Sequence, residues 1–273
     1  MGIVLRKTEY SLPSKVQCTI GLVSDLHEQA PDDVLQILRE ARPDVIAVTG
    51  DTLERHRRGE TLDKGDSRCS SRLVYAGIHM AESLAAIFCP ARQVTHPENA
   101  YRFFGEAGRL APVVLCRGNH EQYLTPQDLS AMEQAGVTIL DNDSAEINRI
   151  LFGGVPSKQS TGSLDNAFLE AFSSSKQYKI LLCHHPEYYP LLANYPIDLI
   201  LCGHCHGGQI RICDRGVFAP GQGLFPRYHH GVYHGRMVVS AGCANTASIP
   251  RWGNETEVVI LRLTGTANAP RTS

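Results

Sequence analysis

The chain reads as an α/β protein, and three observations carry that reading. Short runs rich in Val, Ile and Leu recur along its 273 residues, stretches with helical spacing separate them, and polar residues of ligand type collect where the runs end. The first two runs, at 16–23 and 44–51, bracket a helical stretch and so make a βαβ unit, the building block of a parallel sheet.

In order, residues 16–23 form the first strand and end at Asp25-Leu26-His27. Positions i and i+2 of an extended segment share a face, so Asp25 and His27 can address one object while Leu26 faces the core. Pro31 opens a helix with Asp32 and Asp33 in its first turn and Val34, Leu35, Leu38 and Ala41 on one stripe, and Pro43 stops it. The strand at 44–51 is apolar and β-branched, as a strand buried on both faces must be, and it ends in Gly50-Asp51. A carboxylate there sits where open α/β sheets place their ligands.

Residues 52–71 turn polar and charged and read as a surface insertion; the alternative is that Arg55, His56, Arg57 and Arg58 overhang the site and grip an anionic substrate. Ser70 or Ser71 then caps a helix with Leu73, Ala76, Met80, Leu84 and Ile87 on one stripe, and a second short helix covers 97–106. A strand at 112–116 delivers Gly118-Asn119-His120-Glu121, with Glu121 read as orienting the loop by hydrogen bonding. Thr125 and Asp128 frame the next helix as a capping box, closed by Gly136. Residues 137–140 and 146–152 read as strands paired around Asp141-Asn142-Asp143. Leu164, Phe168 and Phe172 align on a helix at 163–173. Strands at 178–183 and 197–202 end in His184-His185 and in Gly203-His204-Cys205-His206, and short β segments follow at 209–213, 236–240 and 257–263. The whole reads as one domain, 1–273, with a polar insertion at about 52–111.

Hydrophobic content of 42% and charged content of 20% describe an ordinary globular chain. A net charge of −2 and a pI near 6.6 lack the basic footprint of a nucleic-acid binder. No apolar run reaches the length of a membrane span and no signal-peptide core opens the chain, so a cytoplasmic protein is expected, with peripheral lipid contact left open. Nine scattered cysteines, odd in number and mostly within apolar runs, read as buried thiols in a reducing compartment. Oligomeric state has no signature in the sequence.

Five strand ends thus carry carboxylates, imidazoles and one amide oxygen, a mixed donor set suited to Mn²⁺, Fe²⁺ or Zn²⁺. The candidates exceed what one ion takes and suffice for two. Two ions about 3.5–4 Å apart share a bridging carboxylate and hydroxide and clamp the oxygens of an in-line displacement at phosphorus. Asp51, on the central strand, is the natural bridge.

The motifs D-x-H, G-D, G-N-H-[DE], H and G-H-x-H follow one another from Asp25 to His206, and in this the chain resembles the calcineurin-like metallophosphoesterases. The resemblance implies that Asp25, His27 and His206 hold one divalent ion, that Asn119, His184 and His204 hold a second, and that Asp51 bridges them. His120 would lie unligated beside the phosphate and protonate or stabilise the leaving oxygen. The implied fold is a four-layer α/β/β/α sandwich of two mixed β-sheets flanked by helices. The implied activity is hydrolysis of a phosphodiester, pyrophosphate or phosphomonoester by attack of a metal-bridged hydroxide. Residues 239–263, with Gly207-Gly208-Gln209, are similar to the bacterial phosphodiesterase branch that includes UDP-2,3-diacylglucosamine pyrophosphatases, which points to a small-molecule or lipid-linked phosphoester. The chain departs from that branch in lacking an N-terminal membrane anchor, in its longer polar stretch 52–111, and in His185, where the branch often has Asn.

Two readings of other kinds compete. Cys205 and Arg211 have the spacing of the nucleophilic loop of cysteine-dependent phosphatases, although residues 209–213 alternate like a strand and open no helix that could lower a thiol pKa. A non-catalytic scaffold of the same fold is the other, although the ligand positions are all filled. His185 is expected to alternate away from the site, and His229, His230 and His234 to lie on a surface or rim loop.

Overall fold

The computed structural model of the chain describes residues 5–55, 96–157, 164–219, 222–244 and 251–265. The chain starts with β1 (Leu5–Ser14), β2 (Cys18–Val23), α1 (Asp32–Ala41) and β3 (Val45–Val48). Next come α2 (Pro97–Leu110), β4 (Val113–Leu115), α3 (Pro126–Gln134) and β5 (Val137–Ile139). β6 (Asp143–Ile147), β7 (Ile150–Val155), α4 (Asn166–Ser173), β8 (Tyr178–Cys183), α5 (Tyr189–Leu192) and β9 (Leu199–Cys202) follow. Two small hairpins, β10 (Arg211–Ile212) with β11 (Arg215–Gly216) and β12 (Phe218–Ala219) with β13 (Gly223–Leu224), precede β14 (Gly231–Tyr233), β15 (Met237–Val239) and β16 (Thr256–Gly265).

The long strands make two mixed six-stranded sheets, ordered β1-β16-β2-β3-β4-β5 and β14-β15-β9-β8-β7-β6. Alternation along β3 shows why both must be covered twice: Ala47 joins the apolar layer between the sheets, while Ile46 and Val48 pack under helices. The inter-sheet layer joins Ile20, Leu22 and Val114 to Phe152, Ile180 and Leu201. Leu35 and Leu38 of α1, Phe103 and Phe104 of α2 and Met132 of α3 cover the outer face of the first sheet. Leu169 and Phe172 of α4, with Leu192 of α5, cover that of the second. Each such side chain, taken fully out of water, contributes about 1.5–3 kcal/mol. The result is the four-layer α/β/β/α sandwich, with both sheets mixed.

Three differences from the sequence reading have local causes. β1 gave no apolar run to read, because as an edge strand it is half exposed; it pairs in parallel with β16 from Leu5↔Thr256 to Ser14↔Gly265. The strands expected to pair around Asp141–Asp143 belong to different sheets: β5 pairs with β4, and β6 opens the second sheet beside β7. The true hairpin turn is Asn148-Arg149, both at positive φ (53° and 65°), as a two-residue turn matched to strand twist requires. Finally, the end of the stretch read as a polar insertion is core, since Phe103 and Phe104 are fully buried. The helix expected around Leu73 to Ile87 lies outside the described residues, as do His56, Arg57 and Arg58.

Candidate metal centre

Within each sheet the central strands run parallel, so their C-terminal ends collect at one edge. The loops after β2, β3 and β4 carry Asp25 and His27, Asp51, and Asn119; those after β8 and β9 carry His184, His204 and His206. The loops are laced together. Asp25 N donates to Gly50 O at 3.0 Å, His27 N to Asp51 O at 2.9 Å, and His204 N reaches across from the second sheet to Asp25 Oδ2 at 3.2 Å. Such tight crossings need bare backbone: Gly50 has φ +95°, and a Cβ on it would sit 2.4 Å from Gly118 N. Asp25, His27, Asp51, His204 and His206 all have φ between 44° and 71°, a region that costs a non-glycine residue about 1–2 kcal/mol. Five of the seven expected ligands thus hold a left-handed backbone conformation.

All seven expected ligands are buried and brought together. One group unites Asp25, His27 and His206; a second unites Asp51, His184 and His204; in each, one ligand atom per residue lies within 4.8 Å of the others. Asn119 Oδ1 is 3.0 Å from His184 Nε2 and so joins the second group. Asp51 stands between them: Oδ2 is 3.1 Å from His184 Nε2, and Asp51 also falls in a 4.8 Å group with His27 and His120.

The donor atoms fit divalent ions in tautomer, charge and satisfaction. His184 Nδ1 donates to Thr49 O at 2.6 Å and His27 Nδ1 to Glu54 Oε1 at 2.5 Å, which turns each Nε2 inward, toward where an ion would sit. Burial drives His206 down to about 3 against the pull of Asp25, so its imidazole is neutral, as a ligand must be. Asp25 Oδ1 and His27 Nε2 are buried and have no hydrogen-bond partner, an arrangement that an isolated polar core would not leave standing. Burial opposes ionisation of Asp51, yet His184 and His120 hold its carboxyl well below the usual range. The same carboxylates lift His184, which burial alone would lower, to about 10; a field that draws protons onto an imidazole also draws cations.

Glu54 was not picked out from the sequence. Its two oxygens take His27 Nδ1 at 2.5 Å and His120 Nδ1 at 2.8 Å, so one carboxylate orients an expected ligand and the expected acid together. Burial works against its charge, but the two imidazoles bring it down to about 2. His120 rises to about 9, because Asp51 and Glu54 outweigh burial, and it is protonated at neutral pH. The available signal was an acid three residues after Asp51, in a stretch whose charge drew attention to its arginines. Glu121 acts as read: it is fully buried and accepts from the backbone N–H of Asp51, Thr52, Leu53 and Gly118 at 2.7–3.1 Å.

Arg55 does not grip a substrate. Its guanidinium forks onto Asp128 (2.8 and 2.7 Å) and reaches Glu28 Oε1 at 2.7 Å, beside Tyr101, which donates to Asp128 at 2.6 Å. Arg55→Lys loses the fork and is expected to cost about 1–3 kcal/mol in urea unfolding, with turnover per folded molecule retained. Burial opposes the charge on Asp128, but Arg55, Tyr101 and Thr125 hold its carboxyl far below the ordinary value. A lowered folded-state pKa contributes stability above the unfolded value, about 3.9, that is lost as pH falls below it. The Arg55→Lys deficit should therefore shrink in unfolding curves taken below about pH 4.

His185 does not turn away. β8 ends at Cys183, strand alternation ends with it, and the His185 ring lies 4.1 Å from that of His204, with Nδ1 3.0 Å from Glu187 Oε1 and Ser157 Oγ at Nε2. His229 and His230 are half-buried with their Nδ1 atoms 2.9 Å apart, and His234 stacks on Tyr189 at 4.6 Å. The cysteine-phosphatase reading is overturned: Cys205 is fully buried, takes Gln222 Nε2 at 3.1 Å, and is followed only by a three-residue 3₁₀ turn and strand β10, not by an α-helix that could lower the thiol pKa.

The family model for calcineurin-like phosphoesterases matches residues 18–208, and the chain belongs to that family. It is a metal-dependent phosphoric ester hydrolase. An uncharacterised metallophosphoesterase of Aquifex aeolicus is 25% identical over 94% of this chain and 89% of its own. The UDP-2,3-diacylglucosamine pyrophosphatase LpxG of Chlamydia muridarum is 25% identical over 76% and 70%. The Escherichia coli phosphodiesterase YaeI is 30% identical over 37% and 39%. Among the described residues no helix is long and apolar enough to cross a membrane.

Proposed function

We infer that the chain, acting as one domain over 1–273, holds two divalent ions and hydrolyses a phosphodiester or pyrophosphate bond in a small-molecule or lipid-linked substrate. The observation that carries this is the position of the Asp51 carboxylate between two separate donor groups. On this reading Asp25, His27 and His206 would hold one ion and Asn119, His184 and His204 the other, with Asp51 available to both. Ions of this kind supply Lewis-acid stabilisation at phosphorus and an activated water.

The chain's own residues do the rest. Thr49 O and Glu54 hold the His184 and His27 rings in the ligating tautomer. His120, protonated and anchored on Glu54, stands at the rim of the centre, where it can give its proton to the leaving oxygen. Glu121 fixes the backbone from Asp51 to Leu53, so the shared carboxylate cannot drift. The phosphodiesterase and pyrophosphatase names among the relatives support a diester or pyrophosphate over a monoester. The odd, scattered cysteines support a reducing, cytoplasmic setting.

His120→Asn is expected to lower kcat by about 10²–10³-fold with metal content unchanged, as loss of a general acid predicts. Chelation should abolish turnover, and Mn²⁺, Fe²⁺ or Zn²⁺ should restore it. A panel of bis-p-nitrophenyl phosphate, p-nitrophenyl phosphate, cyclic nucleotides and UDP-diacylglucosamine, run with each metal, tests the substrate class. Turnover of the monoester alone contradicts the diester reading, and turnover that survives full chelation contradicts the metal reading.

A further inference from the structure

The loop after β8 carries two polar side chains besides the expected ligand His184: His185 and Glu187. His185 has an extended backbone (φ −91°, ψ 106°), the conformation that a following proline favours, and Pro186 then opens a 3₁₀ turn over Pro186–Tyr188. The turn folds Glu187 back, so that its Oε1 lies 3.0 Å from His185 Nδ1 and 3.9 Å from His204 Nε2. His185 is held at three points. Glu187 takes Nδ1, Ser157 Oγ meets Nε2, and Tyr188, itself packed in the outer core of the second sheet, stacks on the ring at 5.0 Å. The ring so held lies 4.1 Å from that of His204.

Glu187 thus faces an expected ligand and its neighbour together, the relation that Glu54 has to His27 and His120. Its 3.9 Å separation from His204 Nε2 is longer than a hydrogen bond but within reach of charge. An anion facing one ring nitrogen favours the tautomer that carries the proton there, and leaves the lone pair on the other. For His204 the nitrogen facing Glu187 is Nε2, so the lone pair offered to an ion is on Nδ1. Glu187 Oε2 is buried and has no hydrogen-bond partner among the described residues, so no third donor draws the carboxylate off the two rings.

His185, Glu187 and His204 also place one ligand atom each within 4.8 Å of one another, which raises the alternative of an ion held by these three. Two features favour orientation over a further ion. His185 Nδ1 is already at hydrogen-bond distance from the carboxylate. His204 is expected to ligate the second ion, and a neutral imidazole has one lone pair to give, so serving two ions would require it to lose its remaining proton.

We propose that Glu187 is a positioning residue for the second ion: with His185 beside it, it holds the His204 ring in the tautomer whose Nδ1 ligates. The proposal rests on the two-ion reading.

Two measurements on the full-length protein test it. Long-range ¹⁵N NMR of the histidine rings in the Zn²⁺-loaded protein reads the tautomer directly, and His204 should show Nε2–H and a zinc-shifted Nδ1. Calorimetric titration with Zn²⁺ should find two ions per chain in the parent; Glu187→Gln should weaken one of them by about 10–100-fold and leave the other within about twofold. Glu187→Asp, which keeps the charge, should recover most of that affinity. A His204 ring that ligates through Nε2 overturns the proposal. So do equal affinities in parent and Glu187→Gln, an equal loss at both ions, or a third ion in the parent that Glu187→Gln removes. A parent that binds fewer than two ions removes the two-ion reading, and this proposal with it; two ions held equally well by parent and variant leave that reading standing and overturn this one alone.

Discussion

Asp51→Asn is expected to lower kcat/KM on a soluble phosphodiester by about 10³-fold or more, the largest catalytic effect of any single substitution in this chain. The change is isosteric, so the effect is one of charge. Asp51 Oδ1 takes the backbone N–H of His120 at 2.9 Å and Oδ2 faces His184 Nε2 at 3.1 Å, positions an amide fills with half the acceptors and none of the charge. If the carboxylate is shared by two ions, bound metal should fall from two per chain to one or fewer. Several kcal/mol of charge stabilisation would go with it, at about 1.4 kcal/mol per tenfold in rate. Metal analysis by mass spectrometry beside steady-state kinetics decides the matter. A variant that keeps both ions and loses less than about tenfold would sink the shared-carboxylate reading.

Glu121→Ala should produce the largest loss of stability. The carboxylate is fully buried and is the acceptor for four backbone donors, on Asp51, Thr52, Leu53 and Gly118. Truncation leaves those N–H groups without a partner in a site closed to water, at about 1–3 kcal/mol each. A loss of about 4 kcal/mol or more is expected, comparable to the whole stability of many domains. Glu121→Gln is the measurable companion. It keeps a carbonyl oxygen, should lose about 1–3 kcal/mol in urea unfolding, and should depress turnover because Asp51 N is one of the donors. A loss under about 0.5 kcal/mol for both variants would mean that the loop holds itself without Glu121.

The α/β class was legible because strands buried on both faces must be uninterrupted apolar runs, as at Val45–Val48 and Leu199–Cys202. β1 escaped because it is an edge strand, and β5 and β6 were mispaired because Asp-Asn-Asp has turn chemistry wherever the chain goes next. In the site, the side chains brought together were those announced by their position at strand ends. Glu54 was missed because its partner is not local, His120 standing sixty-six residues away, and His185 was misjudged because strand alternation stops at Cys183.

The amino-acid order by itself determined the layers and the donor set, because period-two burial and a ligand at a strand's end are written along a single segment. Folding alone decided which sheet each strand joined, which face His185 presents, and that Glu54 ties an expected ligand to an expected acid. Those outcomes depend on contacts between distant segments, whose geometry is set only when the two sheets pack.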